Sequence, residues 1–308
     1  MKRCFILPIL GYTHMGVIEA LEQRGYKIIA ISGCSMGAIV GGFYSAGKLP
    51  AYREWVEKLT YFDVLKLLDI SFVASGIIRG DKLFSHIDEL LGDLQIEDLA
   101  IPFTAVSTDL TTFKEVWFQH GSLATAIRAS SAIPGMFKPV EVGNNLLVDG
   151  AVLNPLPITP CVSARAEMIL AVDLSADVPI PDMHKPLPEP AAESEGKVVK
   201  NDWFSKFVSK AGGWLELINL TKNTDEDTDN LGKLGVINRV IEVMSSSLTQ
   251  YKIAGYPPDL LIKIPRDCCE SYDFHRAQEM IALGKEIANQ ALDAYEAGSS
   301  CIYGQKLN

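Results

Sequence analysis

The chain carries no basic excess. Its 308 residues hold 28 Lys and Arg against 38 Asp and Glu, a net charge of −10. A phosphate-binding surface needs cationic surplus, so this balance weighs against nucleic acid as a partner. It also provides no general attraction to anionic lipid. Cysteine is sparse: Cys4, Cys34, Cys161, Cys268, Cys269 and Cys301 form no C-x-x-C pair and no metal-ligand spacing. Reduced thiols in a cytoplasmic protein fit that pattern, and neither a metal nor an organic cofactor is expected. Long apolar runs are missing as well. Nothing approaches the ~18 consecutive apolar residues of a helical membrane span. Met1–Leu10 (MKRCFILPIL) has a basic start but no small-residue cleavage site, and reads as a first buried strand rather than a signal peptide.

What is present has the balance of a globular enzyme: 48% hydrophobic and 21% charged residues. Strand patterns fall at Cys4–Leu10, Lys27–Ser32, Phe103–Asp109, Lys114–Phe118, Phe137–Val142, Leu146–Val148, Met168–Asp173 and Leu260–Ile264. Helical periodicity falls at Met15–Arg24 with Thr13 as N-cap, at Tyr52–Leu68, and at Asp81–Leu91 with Asp81 as N-cap. It returns at Ser122–Ser130, Gly235–Ile253 and Arg276–Glu296. Strand, helix, strand at the start makes a βαβ unit, hence a parallel pair. The alternation continues along the chain, which predicts one α/β domain over residues 1–308. Five prolines after Ala176 and a polar, acidic stretch mark an insertion near 176–230. Within it, Trp203, Phe204, Phe207, Trp214 and Ile218 suit either packing on the domain or peripheral membrane contact.

The second strand stops at Gly33-Cys34-Ser35-Met36-Gly37, a G-x-S-x-G pentapeptide, and a small-residue helix follows with Ala38, Gly41, Gly42 and Ala46. Strand, sharp turn and helix is the order a nucleophile elbow needs. In such a turn the serine is pushed out at the end of the sheet, and a Cβ at Gly33 or Gly37 would collide with the neighbouring strand and helix. Ser35 is the candidate nucleophile, and Cys34 a buried elbow residue.

A serine hydroxyl needs a base at neutral pH. Asp149 closes the apolar run Leu146–Val148 and is followed by Gly150 and Ala151. A carboxylate held rigidly at a strand end and partly desolvated has its pKa raised towards that of a useful base. A bare D-G pair also serves simply to shape a turn. Ser35, Asp149 and His275 stand in the order of a Ser–Asp–His triad. An α/β-hydrolase nucleophile follows several strands, however, and Ser35 ends only the second. His14, at the start of the first helix, reads as packing and capping.

Three segments together carry a resemblance: GCSMG at 33–37, ASSAIPGMFKPVEV at 129–142 and VDGAVLNPLP at 148–157. With HMGVIEALEQRGYKIIAISGCSMGAIVGGFYSAG at 14–47 and MILAVDLS at 168–175, they resemble the bacterial patatin-like phospholipase family. The resemblance implies a three-layer α/β/α sandwich with a mainly parallel central sheet. It also implies a Ser35–Asp149 dyad in which the carboxylate accepts the serine proton directly, with Gly150 supporting the base. A lipid or other acyl ester would be the substrate. The chain departs from the family at its glycine-rich oxyanion motif: of Ile6–Gly11 only Gly11 matches, and Pro8 has no N–H. Amides of Gly11, Tyr12 and Met36 are the donors left. Losing one oxyanion donor costs about 2.7–4 kcal/mol of transition-state stabilisation. The alternative reading is therefore a weakly catalytic member that binds an acyl ligand or a protein partner.

Overall fold

Two apolar runs flanking one helix begin the sheet. β1 (Lys2–Leu7) and β2 (Lys27–Gly33) lie side by side and parallel, joined by α1 (Thr13–Gln23). The computed structural model describes residues 2–7, 11–67, 80–164, 166–181, 233–268 and 274–298. The insertion expected near 176–230, including Trp203–Leu220, falls largely outside these residues.

After β2 come α2 (Met36–Ser45), α3 (Leu49–Val56), α4 (Tyr61–Leu67) and α5 (Asp81–Leu91). β3 (Phe103–Asp109), β4 (Lys114–Phe118), α6 (Leu123–Ser130), β5 (Val140–Val142) and β6 (Asn145–Asp149) follow. The single turn α7 (Thr159–Val162), β7 (Ile169–Ala176), α8 (Lys233–Gly255), β8 (Leu260–Pro265) and α9 (Ala277–Glu296) complete the order. The eight strands form one sheet in the order β5-β6-β3-β2-β1-β7-β8, with β4 paired to β3. The β3-β2-β1-β7-β8 stretch is parallel throughout, and β4, β6 and β5 add antiparallel pairs at one side.

The strands alternate so that each face finds a helical layer. Ile31, Phe103, Leu170, Val172, Ile262 and Ile264 join the larger core with side chains of α1, α2, α5, α6 and α9. Ala30 and Ala171 point to the other face and meet Ile158, Cys161 and Ile253 from the α7 and α8 side. The expected α/β/α sandwich is thus realised.

Four local expectations are corrected. Tyr52–Leu68 is two helices, α3 and α4. Thr60 and Asp63 close a capping box between them: the Asp63 carboxylate accepts from Thr60 N–H at 3.1 Å, and Thr60 Oγ1 accepts from Asp63 N–H at 3.3 Å. Thr13 and Asp81 are the first residues of their helices rather than caps. Tyr12 occupies the N-cap of α1, and Gly80, at φ 65°, makes the turn into α5. β5 starts at Val140, and Phe137 closes the turn that precedes it. The Phe137 N–H donates to Ile133 O at 2.8 Å, and its ring meets Phe84 edge-on at 5.4 Å. β1 begins at Lys2 rather than Cys4 and is described to Leu7; residues 8–10 of the expected strand lie outside the described residues.

Candidate active site

The sheet itself brings Ser35 and Asp149 together. β3 has three partners along seven residues. β2 reaches as far as Gly33, paired with Ala105, while β6 runs the opposite way and ends at Asp149, paired with Ser107. β4 pairs with both Ala105 and Ser107, so it covers the other edge of β3. β2 and β6 therefore share one edge and approach each other C-terminus to C-terminus, with only Val106 between their last pairs. The elbow leaves β2 at the point where the D-G turn leaves β6. Cys34, Val106 and Ala151 accordingly pack as one small buried cluster.

This meeting leaves no room for a side chain at two positions. A Cβ on Gly33 would lie 2.6 Å from the carbonyl of Gly37, and a Cβ on Gly150 would lie 2.1 Å from Val106 O. Gly150→Ala is expected to destabilise the protein by about 1–3 kcal/mol, the usual cost of overpacking, measured as a fall in the denaturant midpoint. An unchanged midpoint would show that the turn is looser than described.

Ser35 sits at φ 54°, ψ −131°, a conformation uncommon for a residue with a side chain, which costs about 1–3 kcal/mol and persists only where the surroundings enforce it. The enforcing residues are in the 129–132 segment. Ser35 N–H donates to Ser130 O at 3.0 Å and lies 3.2 Å from Ser130 Oγ. The Ser130 hydroxyl in turn donates to Val106 O at 2.6 Å, and Ser131 Oγ–H donates to Ser35 O at 3.2 Å. Asp149 N–H donates to Ala132 O at 2.9 Å. The last residue of α6 and the two that follow it thus hold both candidate residues by their backbones. Sequence reasoning assigned Ser130 and Ser131 no such role. Their place in the ASSAIPG stretch was visible, but their partners are remote in sequence.

Asp149 is almost fully buried, as is Ser35. Burial pushes the carboxyl up to about 7, from an ordinary 3.8; the Ala151 N–H and the Ser35 hydroxyl pull it down by less. Oδ1 accepts from Ala151 N–H at 2.9 Å within the turn Gly150–Val152. Oδ2 has no partner at hydrogen-bonding distance among the protein atoms. The Ser35 approach is therefore looser than a formed hydrogen bond, which is common for catalytic pairs without substrate. Cys34 is fully buried and its Sγ lies 3.6 Å from Pro155 O. Burial and the neighbouring Asp149 push its thiol well up, so it stays protonated.

The three oxyanion candidates share one end of the sheet. Leu7 pairs with Gly33, so the loop after β1 and the elbow after β2 leave adjacent parallel strands at the same level. Met36 opens α2, where the first N–H groups have no intrahelical acceptor and carry the positive end of the helix dipole. Tyr12 caps α1, and its ring lies 6.5 Å from that of Tyr52, whose hydroxyl is 3.8 Å from Met36 Sδ. Gly11 takes φ 109°, and its carbonyl accepts from His14 Nδ1–H at 3.0 Å. Burial lowers the His14 pKa to about 4, so this imidazole is neutral. His275 is exposed and set edge-on to Tyr61 at 5.6 Å. Among the described residues no histidine is a cause of the Asp149 shift. A surface groove of about 380 Å³ beside Trp55, Asp81 and His86 includes neither Ser35 nor Asp149.

The patatin-like phospholipase family model matches residues 9–162, which span both the elbow and the D-G turn. The chain belongs to the patatin-like phospholipase family. An uncharacterized NTE family protein of Mycobacterium bovis is 39% identical over 93% of this chain and 89% of its own length. The human patatin-like phospholipase domain-containing protein 6 is 24% identical over 94% of the chain, which spans 20% of that protein. The neuropathy target esterase sws of Drosophila melanogaster is 29% identical over 54% of the chain and 12% of its own length. At the level of the family, this membership supports lipid acyl hydrolysis.

Proposed function

We propose that the chain hydrolyses lipid-like carboxylic esters, of phospholipase A or lysophospholipase type, through Ser35 and Asp149. Ser35 Oγ attacks the ester carbonyl and its proton passes to Asp149. The oxyanion is received by the Met36 N–H with Gly11 or Tyr12, the helix end favouring negative charge there. Asp149 then protonates the departing alcohol. The ionised carboxylate next takes a proton from water, whose oxygen attacks acyl-Ser35; as the carboxylic acid departs, Asp149 returns that proton to Ser35 Oγ, which restores both the hydroxyl and the carboxylate.

The observation that carries this reading is the meeting of β2 and β6 on one edge of β3, which sets the buried Asp149 carboxyl, raised to about 7, beside the strained Ser35. A base titrating near the working pH is the useful one. Release of fatty acid from a lysophospholipid and of nitrophenol from a short-chain ester tests it. Turnover of either is expected; cleavage of neither would leave the ligand-binding alternative standing.

Peripheral membrane contact belongs to the same reading. α8 buries Ser245, Thr249 and Ile253 on one face and exposes Val236, Val240, Val243, Met244 and Tyr251 on the opposite one. Its buried side touches the site, since Ser245 Oγ–H donates to Ala151 O at 3.2 Å. Among the described residues no helix is long and apolar enough to cross a membrane. Val240→Asp with Met244→Asp is expected to reduce co-sedimentation with phosphatidylcholine vesicles severalfold while short-chain ester turnover is kept. Equal sedimentation of both forms would remove α8 as the contact.

A further inference from the structure

We propose that Ser107 is a positioning residue whose hydroxyl donates to Asp149 Oδ2 and holds the carboxylate for the reaction. The proposal rests on the reading of Asp149 as the base. Its observation is a pair of buried oxygens: Ser107 Oγ and Asp149 Oδ2 both lack a protein partner, and both residues are almost fully buried. Buried polar groups left unpaired are rare and costly, so each needs an account.

The ladder supplies one. Ser107 stands directly opposite Asp149 on antiparallel strands, so both side chains leave the same face of the sheet. Leu110 N–H donates to Leu146 O, which makes 110/146 a hydrogen-bonded pair in the same register. Alternation then makes 108/148 another such pair, and 107/149 a non-hydrogen-bonded one. In pairs of that kind the Cα atoms are about 4.5 Å apart and the side chains approach most closely. The outward direction of Asp149 N–H, which donates to Ala132 O rather than to β3, agrees. In the proposed contact the Ser107 side chain turns its Oγ–H to Oδ2. A carboxylate oxygen has two acceptor sites, so Oδ2 receives Ser107 on one and keeps the other for Ser35. With Ala151 N–H on Oδ1, the carboxylate is then fixed from both ends.

The charged and titratable groups on the elements packed around Asp149 leave this role open to Ser107. Cys34 of the elbow stays a thiol. On β3, Asp109 is engaged with Thr111 and Thr112. Glu115 of β4 pairs with Lys252 of α8 at 2.9 Å. Arg128 of α6 stacks over Phe84 at 4.1 Å. None of these charges is among the causes of the Asp149 shift.

Ser107→Ala tests the assignment, because a hydroxyl with no partner is dispensable whereas a donor to the base is not. The Asp149 titration is read by carbon-13 NMR of the aspartate carboxyls, with Asp149→Asn identifying the signal. Loss of a hydrogen bond to a charged group is expected to raise the Asp149 pKa by about one pH unit. The acid limb of the ester kcat/KM profile moves by the same amount, so activity falls about tenfold below that limb and recovers above it. An unchanged pKa and an unchanged acid limb would overturn the proposal. If Ser107→Ala does not fold, Ser107→Cys, nearly isosteric with a weaker donor, carries the test with a smaller upward shift; no shift there overturns it equally. A wild type that cleaves no ester would defeat the reading of the reaction, while the NMR titration would still decide the contact.

Discussion

Ser35→Ala is expected to lower kcat for a short-chain ester by about 10⁴-fold or more, the scale on which removal of a serine nucleophile acts elsewhere. The fold should survive. The groups holding the elbow, Ser130 and Ser131, bond to the backbone N–H and C=O of residue 35 and not to its hydroxyl. The strained φ of 54° is likewise imposed from outside and tolerates alanine no worse than serine. Paired kinetics and thermal unfolding check both halves. A variant that retains a tenth of the activity would remove Ser35 from the chemistry, and one that unfolds would make it a structural residue.

Asp149 is expected to give activity and stability opposite pH dependences. Its folded pKa is raised, to about 7 from 3.8. Between those values the folded state holds a proton that the unfolded chain has released, so stability falls as pH rises through this window. Three pH units correspond to about 4 kcal/mol, present in full below pH ~4 and lost by pH ~8. The base is active only when ionised, so kcat/KM rises with an apparent pKa near 7 over the upper part of the same window. Asp149→Asn keeps an acceptor for Ala151 N–H and never ionises. It should abolish turnover, flatten this part of the stability profile, and leave the variant more stable than the wild type at pH 8. Urea midpoints from pH 4 to 8 with the kinetic profile test this. A stability that rises with pH and loses that rise in Asp149→Asn would contradict the assignment of a carboxyl whose pKa is raised by burial.

The residues at the site were legible in the sequence for local reasons. Gly33 and Gly37 around Ser35, between a β-branched run and a small-residue helix, describe a sharp turn, and at Gly33 the Gly37 carbonyl leaves no room for a Cβ. Asp149 was legible only as the end of an apolar run before Gly150. What joins them is non-local. β3 serves as a template for β2 and β6 on one edge, and nothing in either motif encodes that Ala105 and Ser107 receive their last residues. The clamp by Ser130 and Ser131 was hidden for the same reason, because their partners Ser35 and Val106 are remote in sequence. Helix ends were misplaced where polar side chains gave competing signals. Thr60 with Asp63 divides one apolar stripe into α3 and α4, and Thr13 and Asp81 resemble caps while Tyr12 and Gly80 occupy the positions.

The most direct measurement is covalent. A fluorophosphonate reacts with an activated serine and remains on it, so digestion and mass spectrometry identify the atom that attacked. The account predicts one adduct, on the peptide containing Ser35, lost in Ser35→Ala and strongly slowed in Asp149→Asn. An adduct on Ser130, Ser131 or any other residue, or no adduct on a folded protein, would contradict it.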